Sequence, residues 1–153
     1  MANEFSTAGI TLKYAVEATA GTRPTSGYTA IPGIKSMPEF NPEPSSLEVT
    51  DLSDTIWKRY IGGLKDPGGA LGFTANFTSD FKTAWDTMYT AAQTALASNK
   101  ATWFEIAIPN MDSFYFAGRP SELGFGGAEV DAVAEITAYI TPNQVAGFAS
   151  ASA

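Results

Sequence analysis

A chain of 153 residues with 44% hydrophobic residues has the length and apolar content of one ordinary domain. Charged residues are sparse, 16% against a usual share of about 25%, and the net charge of −7 argues against a free nucleic-acid binder, which needs a basic footprint. Cysteine and histidine are both absent, which removes disulfides, thiolate metal sites, a cysteine nucleophile, the commonest general base and the commonest transition-metal ligand. No basic segment followed by an apolar run opens the chain, and no apolar stretch approaches the ~18 residues of a membrane span. The expectation is a chain made in the cytosol, without a membrane partner and without a cofactor.

Residues 1–9 are small and polar and read as a loose N-terminal arm. Ile10, Leu12, Tyr14 and Val16 then alternate with Thr11, Lys13, Ala15 and Glu17, the period-two pattern of a first strand. Ala20–Gly27 is a loop by its Gly, Pro and hydroxyl content. Tyr28–Met37 has strand character, with Pro32 confining it to an edge or a bulge. Pro38–Pro44 holds three prolines and reads as irregular, and Leu47 and Val49 mark a short strand.

The stretch from Thr50 to Phe77 has two unlike halves. Leu71, Phe73, Ala75 and Phe77 alternate with Gly72, Thr74 and Asn76 as a strand with one dry face. The first twenty residues, through Gly69, read as neither strand nor helix. A connection of that length is uncommon in a compact domain and is usually functional or disordered, and a disordered segment does not ordinarily gather Ile56, Trp57, Tyr60, Ile61 and Leu64. This loop therefore predicts a surface to bury against, on another molecule.

Beyond Phe77 the period changes. Phe81, Ala84, Trp85, Met88, Ala92, Ala95 and Leu96 form the stripe of an amphipathic helix over about residues 80–98, with Thr78, Ser79 and Asp80 as cap candidates. Period two then returns in Phe104, Ile106 and Ile108, and in Phe114 and Phe116, with 109–112 as the turn between them. Leu123 and Phe125 suggest a short strand ended by Gly126-Gly127. Ala134, Ile136, Ala138 and Ile140 form one face of a last strand ending near Pro142, and residues 143–153 read as a flexible tail. Seven or eight short strands with one helix, not alternating with helices, predict an antiparallel β-sandwich or partly closed barrel with one packed helix, a single domain over residues 10–142.

Motifs for chemistry are weak. The glycine spacing of Gly63–Gly68 matches a phosphate loop, but Gly69-Ala70 stands where Lys and Ser or Thr are required. Gly124–Gly127 fails the dinucleotide pattern. Asp51 and Asp54 lack calcium-loop spacing and read as turn caps or interface partners, and no carboxylate pair stands out for hydrolysis. Lys58, Arg59 and Lys65 are the only basic concentration. Glu39, Glu43, Glu48, Asp51 and Asp54 lie close by in sequence, and complementary patches on one chain suit head-to-tail self-association. Trp85 and Trp103 read as core; Trp57, in a Gly/Asp/Lys-rich loop, reads as an interface anchor.

Taken together, Thr50–Asp54, Tyr60–Gly69 and the strand that follows resemble the central segment of major tail tube proteins of long-tailed bacteriophages, and the order of strands, loop, helix and aromatic strands over residues 10–142 is similar too. The resemblance implies a non-enzymatic virion protein, made in the host cytoplasm. Such subunits form sixfold rings stacked into a tube in the phage tail. DNA and a tape-measure protein pass through the tube, and tail-terminator and tail-tip proteins close it. It implies that the long loop, residues 50–69, contacts neighbouring subunits. The expected interface residues are Asp51, Asp54, Trp57, Lys58, Arg59, Tyr60, Lys65 and Asp66, and Glu105 and Glu135 are lumen candidates. Six copies of a chain of net charge −7 carry −42, and an acidic lumen repels phosphates where a basic one would hold DNA through counterion release. Two other readings stay open. One is a monomeric β-sandwich module that grips a carbohydrate or peptide through Trp57 and Tyr60 of the 50–66 loop; the other is a hydrolase that uses Asp and Glu alone.

Overall fold

A computed structural model describes residues 6–66 and 68–152. Most of the expected N-terminal arm, residues 1–5, lies outside the described residues, as does Pro67 in the glycine-spaced motif. The chain forms two compact units, one of residues 1–38 and 70–153 and one of residues 39–69. The excursion out of the first unit therefore begins eleven residues before the loop expected from Thr50 onward.

The first unit is a seven-stranded antiparallel sheet with one helix. Its strands are β1 (Thr11–Val16), β2 (Thr29–Ile31), β3 (Ile34–Ser36), β6 (Leu71–Asn76), β7 (Thr102–Ala107), β8 (Ser113–Pro120) and β9 (Glu135–Ala149); β4 and β5 belong to the second unit. The spatial order is β2-β1-β7-β8-β9-β6-β3. The two edge strands are consecutive in sequence, joined only by Pro32-Gly33. Three Cα–Cα steps span no more than about 11 Å, so the sheet must curl until its edges nearly meet. Pro32 presets its own φ and Gly33 takes φ +82°, the combination a tight Pro-Gly turn demands. This is the nearly closed antiparallel barrel with one helix that the alternating pattern predicts.

The helix α1 (Ser79–Ala97) starts at Thr78, whose hydroxyl accepts from the Phe81 amide at 3.1 Å. It ends at Ser98, and Asn99 takes φ 62°, a left-handed stop. Its apolar stripe buries Phe81, Trp85 and Met88 completely, and α1 packs against β1, β2 and β8. Leu12, Phe73, Phe104, Phe116 and Ile140 are fully buried with them. Phe104 and Phe116 pair across β7 and β8 with their rings 5.4 Å apart. The Trp85 indole N–H donates to the Ser121 carbonyl at 2.9 Å, satisfying the one polar atom that this ring takes into the core.

Four sequence expectations are corrected. The last strand runs to Ala149 instead of ending near Pro142, because residues expected as a flexible tail pair with β8 from Ala149↔Ser113 back to Gln144↔Ala117. Two register shifts interrupt this ladder, and they erase the alternation that would mark it in sequence. Leu123 and Phe125 form no strand; residues 121–129 carry no regular structure. Tyr60–Lys65, read as loop, is a strand. Glu105, expected as a lumen candidate, is fully buried, because the second face of the sheet is covered as well. Trp103, Tyr115 and Ala117 form a small core there, with Tyr28 and Ala149 against it, and the Arg23 guanidinium lies 4.2 Å above the Tyr115 ring.

Two carboxylates are taken into this second layer. Burial alone would raise the pKa of Glu17, but hydrogen bonds from the Ala101 amide at 2.8 Å, the Trp103 indole at 2.9 Å and the Gly21 amide at 3.1 Å more than offset it and hold the group below its ordinary value. Glu105 behaves alike. Burial opposes its charge, while the hydroxyl and amide of Ser152, at 2.7 and 3.1 Å, and the Tyr115 phenol at 3.0 Å hold it ionised. The same burial, reinforced by the Tyr115 phenol, pushes the Tyr28 phenol up to about 12.

Candidate functional site: an exposed hairpin arm

The second unit, residues 39–69, is a two-stranded antiparallel hairpin of β4 (Pro44–Glu48) and β5 (Tyr60–Lys65). Leu47 stands opposite Ile61, and Glu48 opposite Tyr60. Gly63 lies so close to β4 that a Cβ there would meet the Ser45 hydroxyl at 2.2 Å, and a register shift between Pro44 and Ser46 follows. Gly62-Gly63 thus replaces the alternation that would have marked β5 in the sequence.

The eleven residues between these strands are held by one cation. The Arg59 guanidinium meets Asp54 at 2.8 Å and Asp51 at 3.2 Å. The Arg59 amide donates to the Thr50 hydroxyl at 2.9 Å, and the Val49 amide donates to the Arg59 carbonyl at 2.9 Å. Within the turn the Asp51 amide donates to the Asp54 carboxylate at 3.0 Å, and the Ser53 amide donates to the Asp51 carboxylate at 2.8 Å. Bonds from Ser53 lower the Asp51 carboxyl below its usual value; the Asp51 amide first and Arg59 second do the same for Asp54. Three of the expected interface residues, Asp51, Asp54 and Arg59, therefore come together as the frame of the tip, satisfied by one another.

The others stand outward. Trp57 is 80% exposed, Ile56 83%, Leu64 91% and Leu52 fully exposed. Tyr60 and Ile61 are half exposed. Among the described residues Lys58 and Lys65, both exposed, make no ion pair, and Asp66 accepts from the Gly68 amide at 2.9 Å. An apolar concentration of this kind on 31 residues is more than a monomer ordinarily leaves in water. A two-stranded hairpin is at best marginally stable alone.

The remaining candidates lie in the first unit. Glu105 is buried as described, and Glu135 is partly exposed and ion-paired with Lys35 of β3. Among the described residues no group of three or more Asp or Glu side chains is placed to hold a metal ion, and no helix is long and apolar enough to cross a membrane.

No protein-family model matches the chain, and no curated protein matches it. Solved structures do. A chain in the cryo-EM structure of the anti-feeding prophage baseplate, 6-fold symmetrised, superposes with a TM-score of 0.60 at 7% identity, over 95% of each chain. A chain in the structure of the anti-feeding prophage cap, its tube-terminating cap, superposes at 0.56 and 10% identity, over 99% of this chain and 95% of that one. At such identities what is shared is the fold. The neighbours come from a prophage-derived particle, whereas the sequence resemblance named the tail tube of long-tailed phages.

Proposed function

We propose that the chain is a structural subunit of a phage-tail-type particle that assembles with copies of itself into rings, and rings into a tube. The observation that carries this reading is the arm: a hairpin whose tip is fixed from within by Arg59, Asp51 and Asp54 while Leu52, Ile56, Trp57 and Leu64 point into water. Rigid exposed aromatic and aliphatic side chains are what an interface anchor looks like before its partner arrives. The likeness of the fold to chains of a baseplate and a tube-terminating cap supports the same reading.

In this proposal the particle is a virion tail built in the host cytoplasm, and its subunits act without catalysis. The tube contacts a tape-measure protein within and terminator and tip proteins at its ends, and DNA passes without specific binding. Glu135 remains a lumen candidate; Glu105, sealed inside the protomer, does not. Deleting Ile56–Leu64 is expected to leave the first unit folded, with its far-ultraviolet circular dichroism and thermal transition retained, and to abolish polymerisation. Long tubes formed by the deletion variant in negative-stain micrographs would refute the role given to the arm.

A further inference from the structure

The arm needs a receiving surface, and the first unit contains one of matching chemistry. Residues 121–134 cross from β8 to β9 without regular structure, yet they are tied down at several points. The Ser121 amide donates to the Tyr139 carbonyl at 2.9 Å, the Ser121 carbonyl accepts from the Trp85 indole, and the Ala134 carbonyl accepts from the Phe77 amide at 2.9 Å. Gly126 lies so close to β9 that a Cβ would meet the Glu135 carbonyl at 2.5 Å. On this fixed strap Phe125 is 79% exposed, Val133 72% and Val130 94%. Interleaved with them are Glu122, Glu129 and Asp131, all exposed and none ion-paired among the described residues. At the root of the strap a cavity of about 370 Å³, lined by Phe77, Tyr89 and Leu123 with Glu122 and the Lys82–Asp86 ion pair at its polar side, falls within the size range of ligand pockets, about 300–1,000 Å³.

The arm is the complement: apolar Ile56, Trp57 and Leu64 interleaved with unpaired Lys58 and Lys65. A second exposed apolar stretch of the first unit, carrying Tyr139, Val145 and Phe148, has no charged residue from Ile136 to Ser152 and offers nothing to those lysines. We infer that the arm of one copy docks on the 121–133 strap of a second copy, with Trp57 seated in the Phe77–Tyr89–Leu123 pocket and Lys58 and Lys65 facing Glu122 and Glu129. The contact is heterologous, a donor face on one copy and an acceptor face on the next, the arrangement that builds rings or filaments instead of closed dimers. This inference rests on the self-assembly proposed above and names the surface that completes it.

Charge exchange tests it. The intact chain, the Lys58→Glu/Lys65→Glu variant, and that variant with Glu122→Lys/Glu129→Lys added are compared by sedimentation over a concentration series and by negative-stain microscopy. Reversal on the arm is expected to raise the concentration needed for assembly at least about tenfold, because like charges brought face to face oppose association. Adding the acceptor reversal restores assembly. A control with Asp112→Lys/Gln93→Lys/Gln144→Lys added to the arm reversal returns the same net charge on the first unit away from the strap and does not restore it. Unchanged assembly of the arm-reversed protein, or rescue by the control as well as by the acceptor reversal, overturns this docking while leaving the ring proposal standing. So does failure of the acceptor reversal to rescue a variant that circular dichroism shows to be folded. An intact chain that stays monomeric throughout the series overturns both.

Discussion

Trp85 and Trp57 are the same residue type in two regions of one chain, and their surroundings could hardly differ more. Trp85 is wholly buried on α1, against Phe81 at a ring separation of 5.9 Å, with its indole N–H bonded to Ser121. Trp57 stands 80% exposed on a hairpin whose tip is held by Arg59, Asp51 and Asp54. The barrel finds its apolar partners within its own chain; the hairpin has polar bonds enough to hold its shape and too few apolar neighbours to hide its large side chains. The difference separates residues that make the fold from residues that use it.

Paired truncations should show this division at its largest. Trp85→Ala is expected to destabilise the fold by about 3–5 kcal/mol, read as a lowered denaturant midpoint, since it empties a packed site and orphans the Ser121 carbonyl. Trp57→Ala should leave that midpoint within about 0.5 kcal/mol of the parent and still abolish assembly. Equal losses of stability would mean that the arm is part of the core after all.

A smaller effect separates the regions by pH. Glu17 and Glu105, both in the barrel's second layer, titrate below the ordinary 4.5 in the folded chain. A depressed folded pKa contributes stability that is fully present above the unfolded value and lost as the pH falls through the folded one. Acid destabilisation should therefore begin below about pH 4.5, and Glu17→Gln/Glu105→Gln should flatten that limb in near-ultraviolet circular dichroism. An acid limb unchanged in the double variant would show that these carboxylates contribute nothing to it. Smallest in stability is Arg59→Ala. It should change the unfolding midpoint by no more than about 0.5 kcal/mol, while amide exchange at Val49 and Arg59 quickens because the tip loses its frame.

The sequence announced the parts of this molecule where period and burial coincide. Leu71, Phe73 and Ala75, the Phe81–Trp85–Met88 stripe, and Phe104 with Phe116 each lie on the face their spacing assigned. It was silent where geometry departs from period. β5 is hidden by Gly62-Gly63, and the second half of β9 by two register shifts and the left-handed Gly147. Glu105 was misplaced because alternation predicts which face a residue takes, not whether that face is covered; Trp103 and Tyr115, aromatic on the same side as Glu105, were the signal for a second dry layer. In the candidate site, Trp57 was legible as an anomaly. The grouping of Arg59 with Asp51 and Asp54 was not, since four neighbouring charges gave no sign of which would pair. The receiving strap was missed because its apolar residues follow no period.

The central claim is that the exposed arm is an assembly element, and negative-stain micrographs of the intact chain beside Trp57→Ala, each at rising concentration, test it most directly. The intact protein should give rings or tubes of uniform width while Trp57→Ala remains dispersed and folded. An intact chain dispersed at every concentration, or tubes equally abundant without the Trp57 side chain, would contradict it.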